Sequence, residues 1–73
     1  MAKSPCPMTK NDIILNLKEA LNAEYKALEG YEDVLRLIKD KTDQNIIEMI
    51  IDDEEKHIKI VEEMIQLVNE HAK

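Results

Sequence analysis

The sequence predicts an all-α protein, an antiparallel two-helix hairpin that dimerises into a four-helix bundle. Two long segments carry apolar residues at alternating steps of three and four, which places them on one face of a helix that is packed along its length. No segment alternates apolar and polar residues as a half-buried strand would. Because a chain of 73 residues with two helices cannot enclose a sizeable core alone, a second copy is expected to complete it.

The first helix is predicted to begin near Lys10, because Thr9 followed by Asp12 has the pattern of an N-cap with an acidic third residue. It is expected to run to about Lys39, since lysines suit the negative end of a helix. Residues 1–8 contain both prolines and no periodicity, so they are predicted to be a mobile tail. The apolar stripe of this helix is Ile14, Leu17, Leu21, Glu24, Leu28, Tyr31, Leu35 and Ile38.

The second helix is predicted to start at a cap formed by Thr42 or Asp43 and to run to about Glu70. So few residues remain for the connection that the two helices must be antiparallel neighbours, and the hairpin domain is expected over residues 9–73. The predicted stripe of the second helix is Ile47, Ile50, Glu54, His57, Val61, Met64 and Val68.

Three ionisable residues, Glu24, Glu54 and His57, interrupt these stripes where leucine would be expected. With a turn near residues 40–41, Glu24 and His57 both lie about 25 Å from it, at 1.5 Å per residue, so they are level. Glu54 lies one helical turn from His57 on the same face. A buried polar network that fixes helix register would be one explanation. A bound metal is the other, because buried ionisable groups are costly unless something compensates them.

A two-fold dimer would gather four carboxylates and two imidazoles, the ligand set of a di-iron or di-manganese carboxylate site. Hard anionic oxygens stabilise Fe(III) or Mn(III), and imidazole fills a terminal position. Glu54 is the candidate bridge between the two metals. Glu24 and His57 are the candidate terminal ligands.

The segments ALNAEYKALEGY (residues 20–31) and DDEEKHIKIVEEM (residues 52–64) resemble the ferritin-like superfamily, in particular half of a rubrerythrin or bacterioferritin bundle and the two-helix encapsulated ferritins. The resemblance covers roughly residues 10–70. It implies iron as the cofactor, two ions per dimer, with Glu24, Glu54 and His57 as ligands. It also implies a catalytic role for Tyr31 as a phenol beside them, and the alternative for Tyr31 is a packing role on the apolar stripe.

The activity that this resemblance implies is oxidation of Fe(II) by dioxygen or peroxide at a site shared between two subunits. Ala23 and Lys26 stand where encapsulated ferritins tend to carry further acidic residues. The final residues VNEHAK do not resemble a shell-targeting peptide, so residence in an encapsulin shell is left open. A rubrerythrin-like peroxidase and a non-catalytic metal-binding helical oligomer, holding zinc or manganese, are the alternatives.

Net charge, hydropathy and cysteine content limit the possible partners and location. A formal charge of −6 argues against nucleic acid as a partner. No apolar run approaches the roughly 20 residues of a membrane helix, and the single Cys6 is compatible with a reducing cytoplasm, which is the expected location. Tyr25 falls off the stripe and is interpreted as a rim residue. One flank of the second helix suggests that dimers assemble further; it comprises Met49, Ile60 and Leu67.

Overall fold

The computed structural model describes residues 8–71, and this part of the chain is entirely helical, with no strand. Helix α1 spans Lys10–Leu37 and helix α2 spans Lys41–His71. The predicted all-α hairpin is therefore confirmed for one chain. Of the predicted tail, residues 1–7 lie outside the described part, as does Cys6 with them, and so do residues 72–73 of the predicted hairpin domain. Neither helix has an apolar stretch of the length and hydropathy that a membrane crossing requires.

The start of α1 is the predicted one. The Thr9 hydroxyl accepts a hydrogen bond from the Asp12 backbone N–H at 3.1 Å, and the Asp12 carboxylate accepts one from the Thr9 N–H at 3.4 Å. This reciprocal pair satisfies two backbone donors at the helix end. The helix ends at Leu37, two residues before the predicted Lys39, because Ile38 turns to extended backbone.

The predicted cap of α2 was wrong. Asp40, rather than Thr42 or Asp43, occupies the capping position, and its carboxylate accepts a hydrogen bond from the Asp43 N–H at 3.0 Å. The link between the helices is therefore Ile38–Asp40. The Gln44 side chain reaches across this link and donates to the Ile38 carbonyl at 2.8 Å.

The seam of α2, meaning the row of side chains that faces α1, differs from the predicted apolar stripe. Ile50 and Met64 are 39% and 40% exposed, and His57 is exposed as well. The residues that α2 turns toward α1 are instead the more buried set Ile47, Ile51, Glu54, Ile58, Val61, Ile65 and Val68. This set is also a heptad pattern, shifted by one residue at every second position. Because α2 has two adjacent apolar rows, periodicity alone does not say which row faces the chain's own α1.

One interhelical hydrogen bond between side chains identifies the two sides of the hairpin. Tyr25 of α1 donates from its hydroxyl to Glu62 of α2 at 3.0 Å. Successive residues of a helix are rotated by roughly 100°, so Tyr25 and Glu62 lie on the same side of the line of contact between the helices. The opposite side is reached four residues before and three residues after Glu24 on α1 and Glu54 on α2. We call that other side the open face; it comprises Ala20, Ala27 and Val34 of α1 and Ile46, Ile50, His57 and Met64 of α2.

The hairpin buries very little by itself. Among the described residues, the buried apolar side chains are Ile58 and Val61 alone, and the third buried side chain is the charged Glu54. At the far end from the link, the Lys10 ammonium donates to the Asn69 carbonyl at 3.3 Å and holds the two helix ends together. The hairpin is thus a single layer of two helices whose open face still exposes apolar side chains.

Candidate metal centre

Glu24, Glu54 and His57 converge between and beside the two helices. Each offers a ligand atom, and these atoms all lie within 4.8 Å of one another. Among the described residues this is the group of three or more such side chains that could hold a metal ion. The sequence prediction that these three residues lie at one level is therefore consistent with their positions in the fold.

Each helix contributes to the cluster from the seam. Glu24 is half-buried on α1, with Leu21 and Leu28 one turn away on either side along the same face. Glu54 is only 8% exposed, and Ile58 follows it one turn later at the centre of the small core. Because the apolar seam fixes both helices here, the two carboxylates are held facing each other.

His57 was predicted to lie on the buried stripe of α2, but it lies beside that stripe. It lies on the open face of α2, one helical turn after Glu54, and its side chain is exposed in the single hairpin. The imidazole therefore reaches the cluster from the side that faces away from the Tyr25–Glu62 bond. A molecule covering the open face would enclose His57 and leave the two carboxylates between the layers.

The electrostatics of the cluster favour a cation. The pKa of Glu54 is raised above its usual value, first by hydrogen bonding with Glu24, then by burial and by repulsion from the Glu24 charge, while nearby His57 opposes the shift. One oxygen of Glu54, Oε2, is buried without any hydrogen-bond partner. A buried acceptor without a donor is costly and uncommon. A metal ion bound between the two carboxylates would supply the missing positive charge.

The donor chemistry also fits a metal. Two carboxylates and one imidazole are the ligands that Fe, Mn and Zn accept in proteins. One hairpin provides three such groups. Two hairpins would provide six, which is the ligand set of a dinuclear carboxylate centre.

The two tyrosines differ in their hydrogen bonding. Tyr31 lies on the α1 seam one heptad after Glu24 and is half-buried, as its position predicts, but its hydroxyl has no hydrogen-bond partner among residues 8–71. Tyr25 is on the rim, as predicted, and is 44% exposed. Its hydrogen bond to Glu62 and the Glu62 charge raise the pKa of the Tyr25 phenol, and burial adds to this.

The Tyr25–Glu62 pair was missed by sequence reasoning. A turn near residues 40–41 puts Tyr25 level with residues around 56, more than one helical turn from Glu62. Side chains on helices lean toward the N-terminus, and in antiparallel helices these directions are opposite, so Tyr25 and Glu62 lean toward each other. This lean of helical side chains toward the N-terminus is the signal that could have predicted the Tyr25–Glu62 contact. His71, at the end of α2, is exposed and outside the cluster.

A shallow groove on α2 has no relation to the cluster. It is lined by Asp52, Glu55, Lys56 and Lys59, on the side of α2 opposite the seam. Asp52, Asp53 and Glu55 are all exposed, so within this acidic run Glu54 alone points inward.

Comparison with known proteins gives no further assignment. No protein-family model, curated protein or solved structure matches the chain. The functional interpretation therefore depends on the chemistry and geometry of the residues themselves.

Proposed function

We propose that this chain is a ferritin-like half-bundle whose homodimer holds two iron ions and oxidises Fe(II) with dioxygen or peroxide. The observation that carries the proposal is the cluster of Glu24, Glu54 and His57, whose ligand atoms lie within 4.8 Å of one another. The buried, unpartnered Glu54 Oε2 supports it, because the hairpin by itself offers that atom no donor.

The open face supports the second copy as the missing partner. Ile50 and Met64 lie one heptad before and one heptad after His57, so the candidate ligand sits in a row of exposed apolar side chains. On α1, Ala20 and Ala27 flank the Glu24 level with small side chains that allow close approach of another helix. A dimer formed on this face would bury the apolar rows and enclose both imidazoles.

The level of the cluster supports a particular symmetry. Helix α1 runs from Lys10 to Leu37, so its midpoint falls between Ala23 and Glu24. Helix α2 runs from Lys41 to His71, so its midpoint is Lys56, between the two candidate ligands of that helix. A two-fold axis across the helices at this level would pair both helices over their full length and bring the two half-sites together.

The charges of such a dimer balance with two divalent ions. Four glutamates carry four negative charges when ionised, and two Fe(II) ions carry four positive charges. Within this set, Glu54 is the candidate bridge because its carboxylate is the most buried and because its Oε2 atom has no hydrogen-bond partner. Glu24 and His57 would hold the outer positions, and imidazole and carboxylate both tolerate the change to Fe(III).

The proposed reaction balances with either oxidant. Two Fe(II), one hydrogen peroxide and two protons give two Fe(III) and two waters. Four Fe(II), one dioxygen and four protons give four Fe(III) and two waters. The role of the chain is to hold two Fe(II) ions close enough to give up their electrons together.

We place the protein in the cytoplasm, because one cysteine suits a reducing compartment.

Two other functions use the same cluster. A rubrerythrin-like peroxidase would consume peroxide with electrons from an outside donor. A non-catalytic oligomer would hold zinc or manganese inertly in the same ligands, which accept all three metals. Iron-dependent consumption of dioxygen or peroxide separates the proposed activity from the inert oligomer, and a requirement for an outside electron donor identifies the peroxidase.

The decisive experiment is an anaerobic Fe(II) titration followed by exposure to dioxygen or to peroxide, read by absorbance and by native mass. We expect iron binding that is lost in Glu54→Ala and weakened in His57→Ala. Glu55→Ala is the matched control, because Glu55 is the adjacent exposed carboxylate. Iron binding that is equal in Glu54→Ala and Glu55→Ala would refute the proposed site.

A further inference from the structure

The hydrogen bond between Tyr25 and Glu62 ties the two helices together away from either end of the hairpin. The Tyr25 hydroxyl donates to Glu62 Oε2 at 3.0 Å. At the far tip the helices are joined by the Lys10–Asn69 contact, and at the other end by the link itself. The Tyr25–Glu62 bond therefore acts on the middle part of the hairpin, where the metal cluster lies.

The cluster itself opposes close packing of the helices when no metal is bound. The ligand atoms of Glu24 and Glu54 lie within 4.8 Å of each other, and like charges at such a distance repel. Few apolar contacts resist this repulsion, because the buried apolar side chains among residues 8–71 are Ile58 and Val61. A directional bond between the helices is thus a substantial part of what holds them at this separation.

The positions of Tyr25 and Glu62 let their bond control where the ligands point. Tyr25 directly follows Glu24, so its side chain leaves α1 about 100° around the helix from Glu24. Attaching the Tyr25 side chain to α2 restrains rotation of α1 about its own axis, and that rotation decides whether Glu24 faces Glu54. Glu62 lies about two turns after Glu54 and restrains α2 in the same way.

The bond acts within one chain. It lies on the side of the hairpin away from the open face, and both side chains are accessible to solvent, with Tyr25 44% exposed. A second copy bound to the open face would hold the cluster from the opposite side and leave the Tyr25–Glu62 bond uncovered. The two sides of the cluster are therefore held by different contacts, which can be removed one at a time.

We propose that Tyr25 and Glu62 are positioning residues of the metal centre, and that their hydrogen bond holds α1 and α2 in the arrangement in which Glu24 and Glu54 share a metal ion. The inference rests on the proposed function for the presence of a metal at the cluster. Ligands that are held in place before binding lose less conformational freedom when the ion arrives, so the ion binds more tightly. Neither Tyr25 nor Glu62 contacts the metal in this role.

The affinity for Zn(II), measured by competition with a chromophoric chelator, tests the proposal without any oxidation. Tyr25→Phe keeps the ring and removes the donor, so Zn(II) should bind about fivefold more weakly, ~1 kcal/mol, the net free energy of one hydrogen bond. Glu62→Leu should have the same effect. Glu62→Gln keeps an acceptor oxygen and should match Glu63→Gln, which removes the same charge from the next residue. Equal Zn(II) affinities for the wild type and Tyr25→Phe would overturn the proposal.

Lys10→Met is the control for a role in stability alone. It breaks the Lys10–Asn69 contact at the tip, which is about 21 Å along α1 from Glu24. Circular dichroism establishes that both variants fold. The visible spectrum of bound Co(II) then reports the geometry of the ligands. We expect this spectrum to change in Tyr25→Phe and to remain that of the wild type in Lys10→Met. The same affinity and the same spectrum in the two variants would show that Tyr25 contributes stability only and would overturn the proposal.

The wild-type measurements separate this inference from the proposed function. Wild-type protein that binds none of Zn(II), Co(II) and Fe(II) would refute both. Wild-type protein that binds metal, with Tyr25→Phe indistinguishable from it in affinity and in Co(II) spectrum, would overturn the inference and leave the proposed function standing.

Discussion

Glu54 is the residue whose chemistry depends most on what surrounds it. Without metal, hydrogen bonding with Glu24, burial and repulsion raise the pKa of its carboxyl above the usual value of 4.5. The folded metal-free protein therefore binds a proton at Glu54 at pH values where the unfolded chain has released it. The group contributes its stabilisation in full below about pH 4.5, and this is lost as the pH rises through the raised pKa.

This sign gives a prediction for metal-free protein. Thermal unfolding followed by circular dichroism should show a Glu54 contribution that declines as the pH rises above 4.5. Glu54→Gln should remove that part of the pH dependence, because glutamine does not titrate. Glu55→Gln is the exposed control and should retain it. If Glu54→Gln and the wild type have the same pH profile, the raised pKa is wrong.

A second residue-scale prediction concerns Glu24. Glu24→Leu replaces a half-buried charge beside Glu54 with an apolar side chain, so the melting temperature of the metal-free protein should stay the same or rise. Iron binding should be lost in the same variant. Calorimetry of metal-free samples provides the measurement. A lower melting temperature than wild type would show that Glu24 stabilises the hairpin without metal.

Tyr31 remains a prediction from resemblance. Tyr31→Phe should leave the iron stoichiometry unchanged and produce a modest change in oxidation rate, if the phenol hydroxyl hydrogen-bonds a ligand once metal is bound. Stopped-flow absorbance of the two proteins decides this. Superimposable traces would make Tyr31 a packing residue alone.

At the scale of the elements, the cap of α2 offers a direct stability test. Asp40→Ala removes the acceptor for the Asp43 N–H and should destabilise the protein by about 1 kcal/mol. Thr42→Ala is the control, since Thr42 lies inside the first turn and should have a smaller effect. Urea unfolding measures both. A larger loss for Thr42→Ala would restore the cap that the sequence predicted.

The sequence was a better guide to α1 than to α2. In α1 a single wide apolar face includes Glu24, so the stripe, the Thr9 cap and the ends could be predicted within two residues. In α2 the rows through Ile50 and Ile51 are both apolar and adjacent. Which of them the chain buries depends on the other helix and on the link, which periodicity does not contain.

The candidate site shows the same division. That Glu24 and Glu54 meet follows from the seam spacing and the short link, and the structure brings them together with His57. The exposure of His57 could not be predicted, because it depends on the choice between the two rows. The Tyr25–Glu62 bond depends on side-chain lean rather than on backbone level.

At the scale of the whole molecule, assembly should depend on metal. Without iron, a dimer would bring four glutamates together at its centre. With iron, each ion that binds only to the dimer stabilises it by about 2.7 kcal/mol when free iron is at a hundred times the dissociation constant. Iron should saturate near one ion per chain. Sedimentation of metal-free and Fe(II)-loaded protein tests this, and a monomer with iron bound at micromolar concentration would contradict the shared site.

The open face can be tested separately from the metal. Ile50→Glu places a charge in the proposed interface and should prevent dimerisation while leaving the helix content intact. Leu15→Glu is the matched control, because Leu15 is 59% exposed on the side of α1 away from both the seam and the open face. Light scattering and circular dichroism provide the readouts. Equal dimer fractions in the two variants would place the interface elsewhere.

The contact between Lys10 and Asn69 has a consequence for joining two copies into a single chain. It puts the start and the end of the hairpin side by side at one tip. In the proposed two-fold arrangement, the second copy would have its start at the opposite tip, about 42 Å away for the 28 residues of α1. A covalent connection would therefore have to run the length of the bundle, which takes roughly 12 extended residues or more. A tandem gene with at least that many residues between His71 of the first copy and Lys10 of the second should yield a monomer that binds two irons, whereas only four residues between them should force the halves to pair between different chains.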